Sequence, residues 1–324
     1  MTTIGKSTTA WAITTGAAGM QAQARGLARA VADVVEEKTV GLRPPWSWLP
    51  AQFALFALNG LDPHKDRLAP PWPDLVVTCG RKSAIVGAAI RRASRGRTLA
   101  VHVQDPLADP GAFDLVVVLP RDRVRGANVL VVPTALHDVA LKDLDAAAKA
   151  WRKRLARLGR PLIGVVVGGS SRGRPFTVED ADRLIEAVQR ARGSGAGVAL
   201  TPSRRTPGEA RARFAEAFNA DPRAFVWDLE DENPYRGILG LADRLVVTSD
   251  SLSMISEALS TGRPVEIFDL GLTGGRHAGF IADLMASGQV RRFEGDPEPP
   301  PVRPAVDSTR LAALAVRRLL DARR

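Results

Sequence analysis

The sequence has one cysteine, Cys79, among 324 residues, so it can form neither a disulfide framework nor a metal site built on cysteine ligands. Its four histidines show no spacing typical of metal ligands, and we expect neither a metal nor a cofactor. No apolar run reaches about 18 residues, which predicts that no helix spans a membrane. The amino terminus lacks the features of a secretory signal. We therefore expect a cytoplasmic protein, with peripheral attachment to the inner membrane as the further option.

Two sequence motifs of common catalytic folds are also missing. No Gly-x-Ser-x-Gly nucleophile elbow occurs in the chain. The first turn, at residues 16–20, is not a full dinucleotide fingerprint.

What the chain does have is length, apolar residues and positive charge. At 324 residues it is longer than one hydrophobic core usually serves, and 45% of it is hydrophobic, so two domains are expected. The net charge of +10 favours anionic partners such as phosphates, nucleic acid or a membrane surface. Arginine and alanine are frequent throughout the chain, so a general compositional bias explains this charge equally well.

Short apolar runs alternate with helical patterns along most of the chain. This order predicts an α/β fold of two Rossmann-like, doubly wound domains facing a cleft. The pattern restarts at the strand 162–167, which predicts an N-terminal domain over residues 1–155 and a C-terminal domain over residues 156–324. A further option is that the last helix, about residues 308–323, packs back on the N-terminal domain. Ligands of such sheets bind beyond the carboxyl ends of the strands.

A glycine-rich loop follows the first strand of the second domain and precedes a helix. Gly168 and Gly169 would let the backbone approach a phosphate closely, and the next helix would present free amides to it. Ser170 and Arg172 could add side-chain donors. A tight turn needs glycine in any case, but the strand–loop–helix context favours a phosphate site.

Two further segments of the second domain are candidates for ligand contacts. Arg205 follows the next predicted strand and could clamp a diphosphate with forked hydrogen bonds, although a solvated basic loop fits equally well. Trp227 could flank a base, whereas packing in the core is the somewhat better interpretation of a single tryptophan.

The segment from Ser249 to Glu257 is the most informative one. A strand ends in a hydroxyl-rich turn that opens a helix, and Ser251 and Ser253 are suited to cap it. The free amides at the same helix start also make an anion site. Glu257 lies about one turn further on, where a carboxylate can accept two hydrogen bonds from a ribose diol.

In the first domain, His102 and Asp105 come at the end of a predicted strand. They are the groups of this domain best placed for proton transfer, although a strand-end turn explains Asp105 before a proline equally well.

One aromatic segment breaks the alternating pattern. It holds Trp46, Trp48, Phe53 and Phe56 in a short stretch with no acid until Asp62. A helix that caps the sheet is one interpretation. A membrane-surface or lipid-acceptor patch is the other, because basic residues flank the segment. Periodicity does not separate the two.

Six segments of the chain together resemble the mitochondrial-fission "elongate mitochondria" family; they are residues 16–23, 103–106, 113–116, 203–207, 233–235 and 248–254. The resemblance spans nearly the whole chain in the same order. It implies a two-domain fold like that of GT-B glycosyltransferases, with Gly16, Gly19 and Gln23 in the acceptor-side loop. Plant members are associated with the mitochondrial outer membrane and its division machinery. Bacterial members have carried a nucleotide-sugar epimerase label, which we do not expect from a two-domain layout.

A more distant similarity reaches the glycosyltransferase that adds N-acetylglucosamine to the peptidoglycan lipid intermediate. It implies that Glu257 holds the donor ribose and that Ser170 and Ser251 contact phosphate. It also implies that the aromatic segment, residues 46–58, imitates an apolar membrane-docking patch. The chain departs from the family at Met20, which stands where family members often carry an acid-base residue.

These observations predict an inverting, metal-independent glycosyltransferase. Its donor would be a nucleotide-diphosphate sugar, most simply a UDP-sugar, and Asp105 would deprotonate an acceptor that is lipid-linked or anchored at an anionic membrane surface. The alternative is a non-catalytic, membrane-associated scaffold, which Met20 favours. We do not expect nucleic-acid binding, because the arginines are scattered and no recognisable module is present.

Overall fold

The computed structural model describes residues 7–48, 56–171, 174–193, 195–272 and 274–323. The chain divides into two compact units. The first unit comprises Met1–Asp138 and Asp307–Arg324, and the second comprises Val139–Val306.

Helices and strands alternate along the described chain. In chain order they are β1 (Thr9–Thr14), α1 (Ala18–Val31), β2 (Val34–Thr39), β3 (Leu75–Cys79), α2 (Arg81–Ala93), β4 (Leu99–Val103), β5 (Leu115–Val118), β6 (Val129–Val131), α3 (Leu141–Leu155), β7 (Leu162–Gly169), α4 (Val178–Arg192), β8 (Gly197–Arg205), α5 (Gly208–Phe218), β9 (Ala224–Val226), α6 (Tyr235–Leu241), β10 (Arg244–Thr248), α7 (Leu252–Ser260), β11 (Val265–Phe268), α8 (Gly275–Ala286), β12 (Arg291–Arg292) and α9 (Ser308–Asp321).

The first unit is built on a parallel sheet with strand order β2-β1-β3-β4-β5-β6. Neighbouring residues of β3 face opposite cores: Val76 packs in the cluster that includes α2, and Val77 packs in the cluster that includes α1 and α9. Because helices cover both faces, the central strands β3, β4 and β5 are buried along their whole length and are mostly apolar, as the sequence predicted.

Strand β2 was not predicted from the sequence. Helix α1 ends at Val31, and Val34–Thr39 pairs with β1 at the edge of the sheet. This strand is largely exposed and carries Glu36, Glu37 and Lys38, so it shows neither the apolar run nor the alternation that identifies a strand.

The second unit has the strand order β12-β11-β10-β7-β8-β9, in which all recorded pairings are parallel. The chain starts in the middle at β7, runs outward to β9, and returns to the other side of β7 at β10. The order therefore reverses between β7 and β10, which is where doubly wound sheets open a crevice beyond the carboxyl ends of their strands. Both units are doubly wound and Rossmann-like, as predicted.

The boundary between the units differs from the predicted one at residue 155. Helix α3 belongs to the second unit, because Trp151 packs directly against Gly237 of α6, where an added Cβ would lie 2.6 Å from the tryptophan ring. The charged, amphipathic pattern of α3 shows that one face is buried but not which domain buries it.

Helix α9 lies in the first unit, where its small residues pack with α1 and the sheet. Its start is attached to the loop before α3 by side-chain hydrogen bonds. The His137 amide donates to Thr309 Oγ1 at 2.9 Å, and the Thr134 amide donates to Ser308 Oγ at 2.9 Å.

No helix in the described part of the chain combines the length and the apolar character needed to cross a bilayer.

Candidate functional site

The candidate site lies at the carboxyl edge of the second sheet, where the strand order reverses between β7 and β10. Strand β7 ends at Gly169, strand β10 ends at Thr248, and β8, which pairs with β7, ends at Arg205. The residues at these three strand ends form one hydrogen-bonded network.

This network centres on Asp250, whose side chain has no exposed surface. Thr248 Oγ1 donates to Asp250 Oδ1 at 2.7 Å and accepts a hydrogen bond from the Gly168 amide at 2.8 Å. Arg205 Nη2 donates to Asp250 Oδ2 at 3.0 Å, and Arg205 Nη1 donates to the Ser170 carbonyl at 3.1 Å. We call these residues the Asp250 network.

Two opposing influences act on the pKa of Asp250. Burial raises it above its usual value, and the hydrogen bond from Thr248 and the charge of Arg205 act in the opposite direction. A buried carboxylate is tolerated because it has these partners.

The glycines of the predicted phosphate loop have structural reasons of their own. A Cβ on Gly168 would lie 2.2 Å from Asp250 Oδ2. Gly169 has φ +118°, and its Cβ would lie 2.4 Å from the backbone of Arg205. Close packing between the strand ends therefore accounts for both glycines, so the glycines alone are not evidence for a ligand.

The loop donors are also engaged within the protein. The Gly168 amide bonds to Thr248, the Ser170 amide donates to the Arg205 carbonyl at 3.0 Å, and Ser170 Oγ accepts from the Phe176 amide at 3.0 Å. The predicted cradle of loop amides is therefore directed at neighbouring strands. Arg172, the other predicted donor, lies outside the described residues.

The start of α7 provides a different anion-attracting group. Ser251 is its N-cap and accepts from the Met254 amide at 3.4 Å, and the first turn contains no acidic residue. Ser253 is half-buried in that turn. Ser249 is buried instead, where its Oγ accepts from the Leu270 amide at 3.0 Å. The helix start, with its positive partial charge, lies directly after Asp250 at the switch point.

Glu257 lies on α7 and is buried apart from 9% of its surface. The Tyr235 hydroxyl, at the start of α6, donates a hydrogen bond to Glu257 Oε2. Burial, followed by the adjacent Glu257 carboxylate, raises the pKa of Tyr235 well above its usual value, so the phenol stays protonated and remains a donor.

Trp227 follows β9 directly and is half-buried, with its indole N–H donating to the Asp231 carbonyl at 3.3 Å. Strand β8 separates β9 from β7 in the sheet, so Trp227 stands at the outer end of the same edge.

Sequence reasoning missed Asp250 and Tyr235. Both lie in segments that it noted, residues 248–254 and 233–235, but it assigned roles only to the serines and to Glu257. The available signal for Asp250 was an acid just after a strand at the switch point, two strand pairings away from a strand that ends in arginine. The Tyr235–Glu257 contact joins α6 to α7 across strand β10 and leaves no trace in the sequence spacing.

The first unit places its two candidate proton-transfer residues in different environments. His102 is fully buried on β4, where its Nδ1 lies 2.8 Å from Thr78 Oγ1 and its ring packs against Phe113. Burial lowers the pKa of His102 to about 3. A ring with no surface cannot exchange a proton with a bound acceptor, so His102 is a core residue here. Asp105 is half-exposed, and its Oδ1 accepts from the Leu107 amide at 2.8 Å in a strand-end turn.

The remaining acceptor-side residues lie around the end of β1 and the start of α1. Gly16 has φ +97° in the turn after β1, and Gly19 is in the first turn of α1. Gln23 is buried, and its Oε1 accepts from Gln104 Nε2 at 3.5 Å. Met20 packs against Gly80, where an added Cβ would lie 2.6 Å from the Met20 sulfur. Met20 therefore makes a packing contact at the position where the family resemblance implies an acid-base residue.

The aromatic segment is partly buried and partly exposed. Trp46 packs against Gly60, whereas Trp48 and Phe56 are 70% and 77% exposed. Phe53 lies outside the described residues. The predicted capping of the core therefore applies to Trp46, and a surface role remains open to Trp48 and Phe56.

A family model, "Mitochondrial fission ELM1", matches residues 18–320. The chain belongs to the mitochondrial fission ELM1 family. It is 28% identical over 277 residues to the mitochondrial fission protein ELM1 of Arabidopsis thaliana, covering 78% of this chain and 65% of the plant protein. It is also 24% identical over 257 residues to the uncharacterized protein RP120 of Rickettsia prowazekii, covering 68% of this chain and 72% of the relative.

Solved structures with the same fold cover nearly the whole chain. UDP-GlcNAc 2-epimerase from Neisseria meningitidis, bound to UDP-GlcNAc, has a TM-score of 0.53 at 10% identity, over 97% of this chain and 100% of that one. MurG from Acinetobacter baumannii has a TM-score of 0.51 at 12% identity, over 97% and 92%. Spinosyn forosaminyltransferase SpnP has a TM-score of 0.50 at 15% identity, over 98% and 95%.

These likenesses identify the GT-B-like fold of two Rossmann-like units. They also correct one expectation, that a two-domain layout argues against an epimerase. That expectation is wrong, because the fold of a UDP-GlcNAc 2-epimerase extends over 97% of this chain.

Proposed function

We propose that this ELM1-family chain binds a nucleotide-diphosphate sugar at the carboxyl edge of its second sheet, with a UDP-sugar as the leading candidate. The observation that carries the proposal is the convergence of two anion-attracting groups at one switch point. These are the start of α7, which has no acid in its first turn, and the half-exposed guanidinium of Arg205. Folds of this type bind nucleotides at this place.

The roles within this site follow from the contacts. Arg205 and the first amides of α7 would bind the diphosphate and stabilise it as it leaves. Glu257, with its carboxylate held by the Tyr235 hydroxyl, would bind the ribose diol. Trp227, at the outer end of the edge, would flank the base. Relatives of the fold support this assignment, since an epimerase of similar structure is bound to UDP-GlcNAc.

For the reaction we propose inverting, metal-independent glycosyl transfer. The acceptor hydroxyl would give its proton to the Asp105 carboxylate, its oxygen would bond to the anomeric carbon, and the nucleoside diphosphate would leave with the bonding electrons. Asp105 is accessible and is held by the Leu107 amide, whereas His102 is excluded by its burial. The exposed Trp48 and Phe56 support a lipid-linked acceptor or an anionic membrane surface nearby.

The first test is a calorimetric titration of the full chain with UDP, UDP-GlcNAc, GDP, ADP and dTDP. We expect one of the diphosphates to bind, and Arg205→Ala to weaken it about tenfold or more, as loss of a charged hydrogen bond does. Arg204→Ala is the matched control, since Arg204 is adjacent and exposed. Equal affinities of the two variants would place the nucleotide elsewhere, and no binding at millimolar concentration would exclude the proposal.

The reaction itself is tested by product analysis. Incubation with a UDP-sugar and membrane lipid extracts should release UDP and label a lipid. Conversion of the UDP-sugar to its epimer without any acceptor would instead identify an epimerase.

A non-catalytic, membrane-associated scaffold is the second candidate. The packing of Met20 on Gly80, in the loop that elsewhere carries an acid-base group, favours it. A scaffold would bind anionic vesicles through Trp48 and Phe56, and neither Glu257→Ala nor Asp105→Asn would change the cellular phenotype. Loss of that phenotype in either variant would contradict the scaffold.

A further inference from the structure

The Asp250–Arg205 pair joins a fully buried group to a surface group. The Asp250 side chain has no exposed surface, whereas the Arg205 side chain is 44% exposed. Arg205 is therefore anchored on its inner side and open to solvent on its outer side.

The anchor itself is fixed from three strand ends. Thr248, at the end of β10, donates to Asp250 Oδ1 at 2.7 Å and accepts a hydrogen bond from the Gly168 amide of β7 at 2.8 Å. Arg205, at the end of β8, completes the set at 3.0 Å. Rotation of the carboxylate would break its hydrogen bonds to Thr248 and Arg205, and Thr248 is itself bonded to β7, so the sheet determines the orientation of the carboxylate.

The guanidinium is fixed in turn by two contacts. Nη2 bonds to Asp250 and Nη1 bonds to the Ser170 carbonyl at 3.1 Å. A guanidinium is planar and has five N–H donors in a rigid fork, so two bonds set the direction of the others. Among the contacts of the described residues, these two engage only part of the fork.

We infer that Asp250 is a positioning residue that orients the Arg205 guanidinium toward the diphosphate of the ligand. This inference rests on the proposed nucleotide site and adds the residue that prepares it. Asp250 itself, buried beneath the arginine, does not touch the ligand.

Removal of Asp250 has two physical effects on anion binding, and they have opposite signs. The direction of the measured change therefore tests the inference. A carboxylate near a phosphate repels it, so its removal should strengthen anion binding if charge alone mattered. If Asp250 acts by orienting Arg205, its removal should weaken anion binding, because the freed arginine must be ordered again at each binding event.

The experiment compares UDP with uridine in the full-length chain by calorimetry. We expect Asp250→Asn to weaken UDP about 10- to 100-fold, the range for a misplaced hydrogen bond between charged groups, and to leave uridine unchanged. Thr248→Val, which keeps the carboxylate but removes one of its anchors, should weaken UDP in the same direction by less. A purely structural role would lower both affinities together.

Glu266→Gln is the matched control. Glu266 is also a fully buried carboxylate paired with arginine, at 2.7 Å from Arg291, but it belongs to β11 and lies outside the Asp250 network. Its loss should lower the thermal midpoint and leave the UDP affinity as in the parent chain.

The outcomes separate the inference from the proposal beneath it. If Arg205→Ala weakens UDP while Asp250→Asn and Thr248→Val leave it unchanged or tighter, the positioning role is overturned and the nucleotide site stands. If the parent chain binds no nucleoside diphosphate, the proposed function fails, and the inference fails with it. Should Asp250→Asn not fold, Thr248→Val decides alone.

Discussion

The carboxyl edges of the two sheets carry different buried groups, although both sheets are parallel and doubly wound. At the second edge, Asp250 and Glu257 are buried carboxylates with designated donors, Arg205 and Tyr235. At the first edge, two buried polar groups are neutral: His102 is kept uncharged by burial, and Gln23 pairs with the amide of Gln104. The same architecture thus supports a charged site or a neutral one, depending on the few residues at and just after the strand ends.

The largest expected effect of this difference is on how the stability of each unit depends on pH. Burial lowers the pKa of His102 from 6.5 to about 3, so between these values the unfolded chain binds a proton that the folded chain does not. The folded first unit should therefore lose up to about 1.4 kcal/mol per pH unit as the pH falls through this window. In the second unit, burial raises the pKa of Asp250 and of Glu266, so these two carboxyl groups contribute stability as the pH falls, whereas the lowered pKa of Asp180 and of Asp221 acts in the opposite direction.

Denaturant unfolding at about pH 7 and about pH 4 measures this effect. His102→Leu should remove most of the loss in acid, while His64→Asn, a change at an exposed histidine, should not. A pH dependence unchanged in His102→Leu would contradict the assignment.

Glycine substitutions provide the next largest contrast. Alanine at Gly169 must adopt φ +118° and place its Cβ 2.4 Å from the Arg205 backbone, so we expect a loss of about 3 kcal/mol from strain and overpacking. Alanine at Gly16 meets only Thr39 Cγ2 at 3.4 Å, so the loss should be about 1 kcal/mol, from φ +97° alone. Urea unfolding of both variants checks the order. Equal losses in the free energy of unfolding would mean that the ends of β7 and β8 can move apart to accommodate the added Cβ without loss of stability.

Much of the fold was predictable because it depends on local patterns. Helix α4, for example, begins with a capping box of Thr177 and Asp180, which is a contact between residues only three apart in the sequence. The exposed edge strand β2 and the unit to which α3 belongs were not predictable, because solvent exposure and domain assignment leave no period in the sequence.

The candidate site was less predictable than the fold. Arg205 and Glu257 were proposed as ligand-binding residues from the sequence, since each comes near a predicted strand end or helix start, and this assignment stays a prediction. Sequence reasoning interpreted Gly168 and Gly169 as a phosphate cradle, whereas their contacts are with Asp250 and Arg205. Partners that lie on different helices, such as Tyr235 of α6 and Glu257 of α7, become visible only when the chain is folded.

Two variants that each lose one hydroxyl compare a hydrogen bond to a charged group with a hydrogen bond to a neutral group. Tyr235→Phe takes the donor from the buried Glu257 carboxylate and should cost about 2 kcal/mol, and it should weaken UDP binding. Thr78→Val takes the hydroxyl from neutral His102 and should cost about 1 kcal/mol without affecting UDP. Thermal unfolding and calorimetry on both variants provide the measurements. A UDP affinity unaffected by Tyr235→Phe would separate Glu257 from the ligand.

The smallest effect on stability is expected at Asp105, and it distinguishes acceptor chemistry from donor binding. Asn can still accept the hydrogen bond from the Leu107 amide, so Asp105→Asn should change the free energy of unfolding by less than about 0.5 kcal/mol. UDP should bind as before, because the donor residues belong to the second unit. Transfer to the acceptor should fall by about 100-fold or more, since a positioned general base contributes at least that much. Measured transfer rates equal to those of the parent chain would assign the base to another residue. Intact UDP binding with no transfer in either chain would leave the charged edge as a binding site only and favour the scaffold.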